Sequence, residues 1–428
     1  MKAFRKLIVT IIAAACFSTS MLGGAVTVAP VKSEPQQVRW RDASVKISIS
    51  SSLTQQSPNL KIGTDVLGAV RRSLQTWRDA AGINFQIEIS DRQSLSPSGV
   101  SGDGVNLITI AQTPENVLLF SRSRQTESAK TRVFYNRKGF ITEADIVLNP
   151  FQQFSTDGTF GTFDLESTLT HEIGHLLGLR HSGVLGSTMS DSLPKNGLFG
   201  LIDLGPRTLS DSDIAAIREL YGTASADDTC CASITGKINI PVGRTSKGLR
   251  VWAEEDGTGR VMAQADTGLD GNYRLGGLPA GAYLVFWQKK DDPSASQIGE
   301  LGLVRLEPGE AKSLNEKASF SRTSIAMDLV GLNSQLSDSA ISLNAGREYV
   351  IYVGGRVLDP RDLTFEFNSP FLRISPGSTA SQDFGAGVTA VSFVLCISDE
   401  TPAGSYSVFA ITADGSRSAL VGAINVDR

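Results

Sequence analysis

The sequence predicts a multidomain chain: an α/β (α+β) unit built on one mixed sheet, then two all-β sandwich domains. Three observations carry this. Up to about residue 223, helical stripes and strand-like alternation are interleaved. Beyond about residue 233 the helical stripes stop, and short strands are punctuated by Gly, Pro, Asp and Asn clusters. A chain of 428 residues also exceeds one usual core, at roughly 150 residues per domain.

Residues 1–25 read as an export signal. Lys2, Arg5 and Lys6 form a basic start, and Leu7 to Phe17 is an apolar run too short to cross a bilayer. Gly23 and Ala25 are small residues suited to cleavage after Ala25. A competing reading lipidates Cys16 in Ala13-Ala14-Ala15-Cys16, although Ala13 stands where a larger aliphatic residue is usual. No other stretch reaches about 18 apolar residues, so no transmembrane segment is expected. The expected location is secreted, extracellular or periplasmic. Without the signal's three basic residues, 37 of the 40 remain against 44 acidic ones, a formal charge of −7. That balance argues against nucleic acid and anionic membranes as partners.

In residues 36–223, "VKISIS" (45–50) reads as a strand. Val66, Val70, Leu74 and Trp77 recur at helical spacing, predicting a helix over 64–80 that stops near Gly82. "INFQIEIS" (83–90), "VNLITIA" (105–111), "TRVFYN" (131–136) and "GFITEADIVLNP" (139–150) read as further strands. Two helices follow. The second, "LSDSDIAAIRELYG" (209–222), has Ser210 as N-cap, Asp213 completing a capping box, a stripe of Ile214, Ile217, Leu220 and Tyr221, and Gly222 as the stop. The linker 224–232 is small and polar. Residues 233–320 and 325–428 read as two β-sandwich modules.

Three cysteines remain after the signal. Cys230 and Cys231 are adjacent, and consecutive Cα atoms about 3.8 Å apart disfavour a bond between them. Cys396, in the apolar "VSFVLCIS", reads as a buried, inert thiol. The sequence leaves their disulfide state open.

The first of the two helices carries the chemistry. The chain has 3 histidines, and all lie in "HEIGHLLGLRH" (171–181). Chance would give this spacing in about 3 of 100,000 arrangements. Residues four apart share a helix face, so His171 and His175 can place two imidazoles on one cation. Gly178 can take a positive φ and end the helix, letting His181 swing back as a third nitrogen. Three neutral histidines plus a water make a catalytic zinc site with one open position. Glu172, one residue on from His171, is placed to act as general base toward that water. One Zn2+ per chain is expected, because no histidine is left for a second site. Calcium could be offered oxygens by "SGDGVN" (101–106).

HExxHxxGxxH with a downstream methionine turn resembles the metzincin signature, and this chain resembles the matrixin (matrix metalloproteinase) branch of it. "HEIGHLLGLRHS" looks like that family's zinc helix, and "GSTMSDS" (186–192) like its methionine turn, with Met189 eight residues after His181. The resemblance implies that Met189 is an apolar floor beneath the metal, and that the strand before the zinc helix is the sheet edge where an extended peptide adds. Trp77, "ADIVLNP" (144–150) and the closing helix agree in kind. It therefore implies a zinc metalloendopeptidase acting on protein or peptide substrates. The chain departs from the pattern in having no cysteine between Ala25 and the first strand, so no cysteine switch is visible, and in having Ser190, Asp191 and Ser192 after the methionine.

Residues 233–320 resemble carboxypeptidase-regulatory-like, transthyretin-type sandwiches, and 325–428 resemble immunoglobulin-like modules. Neither shows a catalytic constellation. They read as spacers or stabilisers, with cell-surface or matrix contact as the sharper alternative. Two rival functions stand beside the peptidase: a zinc-binding but non-proteolytic adhesion protein, and an amidase of cell-wall peptides.

Overall fold

The computed structural model describes residues 28–29, 36–97, 102–122, 126–201, 205–224, 230–239, 248–289, 298–318, 325–385 and 388–427. Residues 1–25, read from sequence as an export signal, Cys16 and most of the linker lie outside these. Among the described residues no helix is long and apolar enough to cross a membrane.

The first unit is a five-stranded mixed sheet with helices against it. Its strands are β1 (Ser44–Ser50), β2 (Asn84–Ser90), β3 (Leu107–Thr109), β4 (Ala129–Tyr135) and β5 (Ile141–Leu148), in the order β2-β1-β3-β5-β4. All pairs are parallel except β4 with β5. Helix α1 (Val66–Ala81) is capped by the Asp65 side chain and stopped by Gly82 at φ 67°. A short helix α2 (Pro114–Leu119), absent from the sequence reading, starts behind the Thr113 cap with proline in its first turn. Helix α3 (Leu165–Leu176) holds His171, Glu172 and His175, and α4 (Asp211–Tyr221) closes the unit. The Val70, Leu74 and Trp77 stripe of α1 packs with Leu169, Ile173 and Leu176 of α3 in one buried core.

One expectation is corrected here. The strand directly before the histidine-bearing helix α3 among the five, β5, is interior and paired on both sides. The chain turns back at 136–140, so β5 inserts between β3 and β4, and β4 becomes the edge.

Among the described residues beyond 231, the regular elements are all strands. Ala232–Asn239, Asn272–Leu278, Ala311–Ser313 and Glu316–Lys317 form one sheet, and Leu249–Glu255, Val261–Asp266, Gly281–Lys289 and Ile298–Leu306 another. Both contribute to one core that includes Ile234, Val251, Leu275 and Val285. From Ala326 to Asp427 a six-stranded and a four-stranded sheet share a second core, around Val353, Phe393, Val408 and Ile424.

The cysteines also differ from expectation. Cys230 and Cys231 are joined in a disulfide across a cis peptide bond, with Cα atoms 3.1 Å apart, so the trans spacing behind the expectation does not apply. Cys396 is half-buried instead of buried. Its thiol donates to Glu348 Oε1 at 3.2 Å and lies 3.1 Å from the Ser375 hydroxyl, because its side of the strand faces polar neighbours.

Candidate metal centre

The Asp164 carboxylate caps α3 by accepting from the Ser167 N–H at 2.7 Å, and Arg207 anchors that cap through an ion pair of 2.6 Å. Every residue of α3 is buried, so its polar groups must find partners inside the protein. Trp77 supplies one contact from α1, donating its indole N–H to the Thr170 carbonyl at 2.8 Å.

The helix brings His171 and His175 together with Nε2 atoms 3.1 Å apart. Gly178, at φ 101°, turns the chain so that His181 joins them. A side chain at Gly178 would also strike the Val38 carbonyl oxygen, at 2.1 Å, so that position requires glycine twice over. One ligand nitrogen from each histidine lies within 4.8 Å of the others. Two nitrogens bound to one zinc at about 2.0–2.1 Å with tetrahedral angles sit about 3.3 Å apart, close to the His171–His175 spacing.

The protonation state fits as well. His171 Nδ1–H donates to the Thr188 carbonyl at 2.8 Å, and His175 Nδ1–H to the Leu179 carbonyl at 2.9 Å. Each hydrogen bond fixes the tautomer that leaves Nε2 with a free lone pair. Burial, followed by the neighbouring imidazole of His181, pushes His171 down to about 3. Burial also holds His175 well below the usual imidazole range and lowers His181. Three neutral, converging imidazoles are the donor set that zinc takes.

Glu172 is 3% exposed, and burial raises its carboxyl to about 7. The hydroxyl of Thr131, on edge strand β4, lies 2.5 Å from Glu172 Oε2 and 3.1 Å from the Glu172 carbonyl oxygen. Its bond to the carboxylate favours the ionised form, against the desolvation. Thr131 was not legible as a site residue from the sequence, since 41 residues separate the pair.

Met189 is 2% exposed and packs under α3. A side chain at Gly174 would meet the Met189 sulfur at 2.3 Å and the Trp77 ring at 2.8 Å, so the glycine between the two helical histidines makes room for that floor. The turn around Met189 is held from two sides. Ser182 N–H donates to the Met189 carbonyl at 2.7 Å. The fully buried Asp213 carboxylate accepts from Ser187 Oγ at 2.5 Å, Thr188 N–H at 2.8 Å and Met189 N–H at 3.3 Å. The same carboxylate accepts from Ser210 N–H at 3.0 Å, so the capping box read from sequence is also the clamp on the methionine turn. Through the Thr188 carbonyl that clamp reaches His171.

The structure therefore gathers His171, Glu172, His175, His181 and Met189 at one place, with Gly178 at the turn between them. Among the described residues, the three histidines are the only group of three or more His, Cys, Asp or Glu side chains set to hold a metal. In "SGDGVN", Asp103 is engaged by Arg92 in an ion pair.

Three curated proteins are similar over parts of their length. Metalloendoproteinase 1 of Glycine max is 48% identical over 64 residues, 14% of this chain and 17% of the relative. Metalloendoproteinase 4-MMP of Arabidopsis thaliana is 26% identical over 204 residues, 44% and 49% of the two chains. The hatching enzyme of Paracentrotus lividus is 28% identical over 176 residues, 39% and 24%. The chain thus spans half or less of each relative's length. The family model described as Matrixin matches residues 124–222, the stretch that carries the edge strand, the three histidines, Glu172, Met189 and the closing helix.

Proposed function

We propose that the protein is an exported zinc-dependent endopeptidase in which residues 36–223 do the chemistry and residues 233–320 and 325–428 follow as β modules. The observation that carries the reading is the convergence of three neutral histidines beside a buried carboxylate, within the stretch that matches Matrixin. His171, His175 and His181 would hold the ion. A bound zinc supplies Lewis acidity, which polarises a carbonyl and makes water a stronger acid.

The chain's own residues do the rest. Glu172 accepts a proton from the attacking water and returns it to the departing amine, so hydrolysis needs no covalent intermediate with the protein. Thr131 orients that carboxylate and favours its ionised form. Met189 and Trp77 keep the underside of α3 dry and apolar. Edge strand β4 offers unpaired backbone groups to an extended peptide next to Glu172.

The test is cleavage of casein and of a quenched fluorescent peptide, with and without a chelator, by the wild-type chain and by Glu172→Gln. The expected result is chelator-sensitive cleavage that falls by about 10²–10⁴ in the variant while bound zinc is kept. Zinc binding with no cleavage of any peptide would favour a binding role. Hydrolysis confined to cell-wall peptides would favour an amidase.

A further inference from the structure

The segment from His181 to Met189 joins the third histidine to the methionine floor, and its middle is held by the C-terminal β modules. Val184 is fully buried in a cluster with Trp252 and Phe286 from one module and Phe409 and Val421 from the other. Backbone bonds continue the grip. Gly183 N–H donates to Gln264 Oε1 at 3.1 Å, and Leu185 N–H donates to the Val421 carbonyl at 2.9 Å. Asn425 Nδ2 reaches the Gly186 carbonyl at 3.4 Å. A side chain at Gly186 would meet Asn425 Oδ1 at 2.0 Å, so the loop is glycine where the module comes closest.

The contact reaches the site through few bonds. Ser182, next to His181, donates to the Met189 carbonyl, and Ser187 donates to Asp213. Four residues lie between those two serines, and the modules contact each of them. A second brace ties the far end of the clamp: Arg260 is 3.3 Å from Asp211 at the start of α4, 3.0 Å from Glu255 and 3.4 Å from the Ala403 carbonyl.

We infer that the two β modules are positioning parts of the metal centre: by gripping residues 183–186 they fix where His181 and Met189 sit. This rests on the metallopeptidase reading above and goes beyond it, because it makes the modules necessary for the site even toward substrates too short to touch them. The physical reason is that a nine-residue segment with two glycines or serines on each side of Val184 (Ser182 and Gly183, Gly186 and Ser187) has little rigidity of its own. Its conformation comes from what it is packed against.

The experiment uses the full chain. Gln264→Ala/Asn425→Ala removes the two side-chain contacts to Gly183 and Gly186, along with the bonds these side chains make to Asp266 and Ser405 within the modules, far in sequence from the zinc motif and outside the apolar cores. Val184→Ala removes the apolar anchor. Two readouts are needed besides fold and melting: the rate of zinc transfer to a coloured chelator, and the visible spectrum of the cobalt-substituted protein, which reports ligand geometry. Turnover of a short peptide is then split into kcat and KM. The double variant is expected to lose zinc roughly fivefold faster, as suits one or two net hydrogen bonds, and Val184→Ala faster still. The cobalt spectrum shifts in both, and kcat falls with KM little changed. If Val184→Ala does not fold, the double variant decides alone. Folded variants with wild-type zinc release, cobalt spectrum and kcat would overturn the inference while leaving the peptidase reading intact. A wild-type chain that neither retains zinc nor cleaves peptide would overturn both.

Discussion

Thr131→Val isolates the group that faces the proposed base. The change keeps shape and removes one hydroxyl, 2.5 Å from Glu172 Oε2. A hydrogen bond to a charged acceptor is worth about 1.5–3 kcal/mol, and one pKa unit is about 1.4 kcal/mol. The Glu172 carboxyl should therefore rise by about one to two units. The sign follows from the donor: it stabilises the carboxylate, so its loss favours the protonated acid. A base must be ionised to work, so the acidic limb of kcat/KM moves to higher pH. Below the limb the variant should be about 10–100 times slower, and well above it nearly normal. Any pull from a bound cation acts on both proteins and cancels in the difference. The assay is kcat/KM for a fluorogenic peptide in zinc-loaded wild type and variant, from about pH 5 to about pH 9, with thermal melting as a control on folding. A limb that stays within about 0.3 units of wild type would refute the assignment of Glu172 as the titrating base oriented by Thr131.

Other outcomes follow from the same geometry. Asp213→Ala leaves the Thr188 and Ser210 N–H groups without their carboxylate, so about 3–5 kcal/mol of stability should be lost in urea titrations of the zinc-free chain; a loss under about 1 kcal/mol would contradict the clamp. A fragment ending at residue 223 would uncover Val184, now fully buried, and Phe199, now 3% exposed. Each is worth about 1.5–3 kcal/mol of burial, so the fragment should melt earlier and bind a hydrophobic dye, where the sequence alone suggested an independent unit. Equal melting temperatures would show that the modules add nothing to its stability. Dialysed protein should carry one zinc per chain by elemental analysis, and His175→Ala should carry almost none; two tightly held zinc atoms per chain would reveal a second site.

The candidate metal-binding half of the site was legible because its information is local. His171, Glu172, His175, Gly178 and His181 lie within eleven consecutive residues, and helix periodicity plus one glycine turn suffices to converge them. The capping box at Ser210 and Asp213 and the stripe of α1 were legible for the same reason: each is a pattern within a few turns of one element. The break from mixed to all-strand structure near residue 231 likewise follows from composition and period.

What only the tertiary structure decided depends on contacts far apart in sequence. Thr131 meets Glu172 only because β4, and not β5, becomes the edge beside α3, and strand order is set by pairing across the whole sheet. Asp213 looked like a cap and proved also to be the clamp on Met189, since a carboxylate has lone pairs to spare for donors brought from another loop. Gly174 is glycine because a sulfur and an indole occupy its space. Cys396 carries polar neighbours because of which side of its strand it occupies. The modules, which resemble separate units in sequence, share buried apolar surface with the loop of the metal centre. Val184 and Phe199 are ordinary apolar residues in the sequence, and nothing local distinguishes one that fills its own core from one that fills a neighbour's.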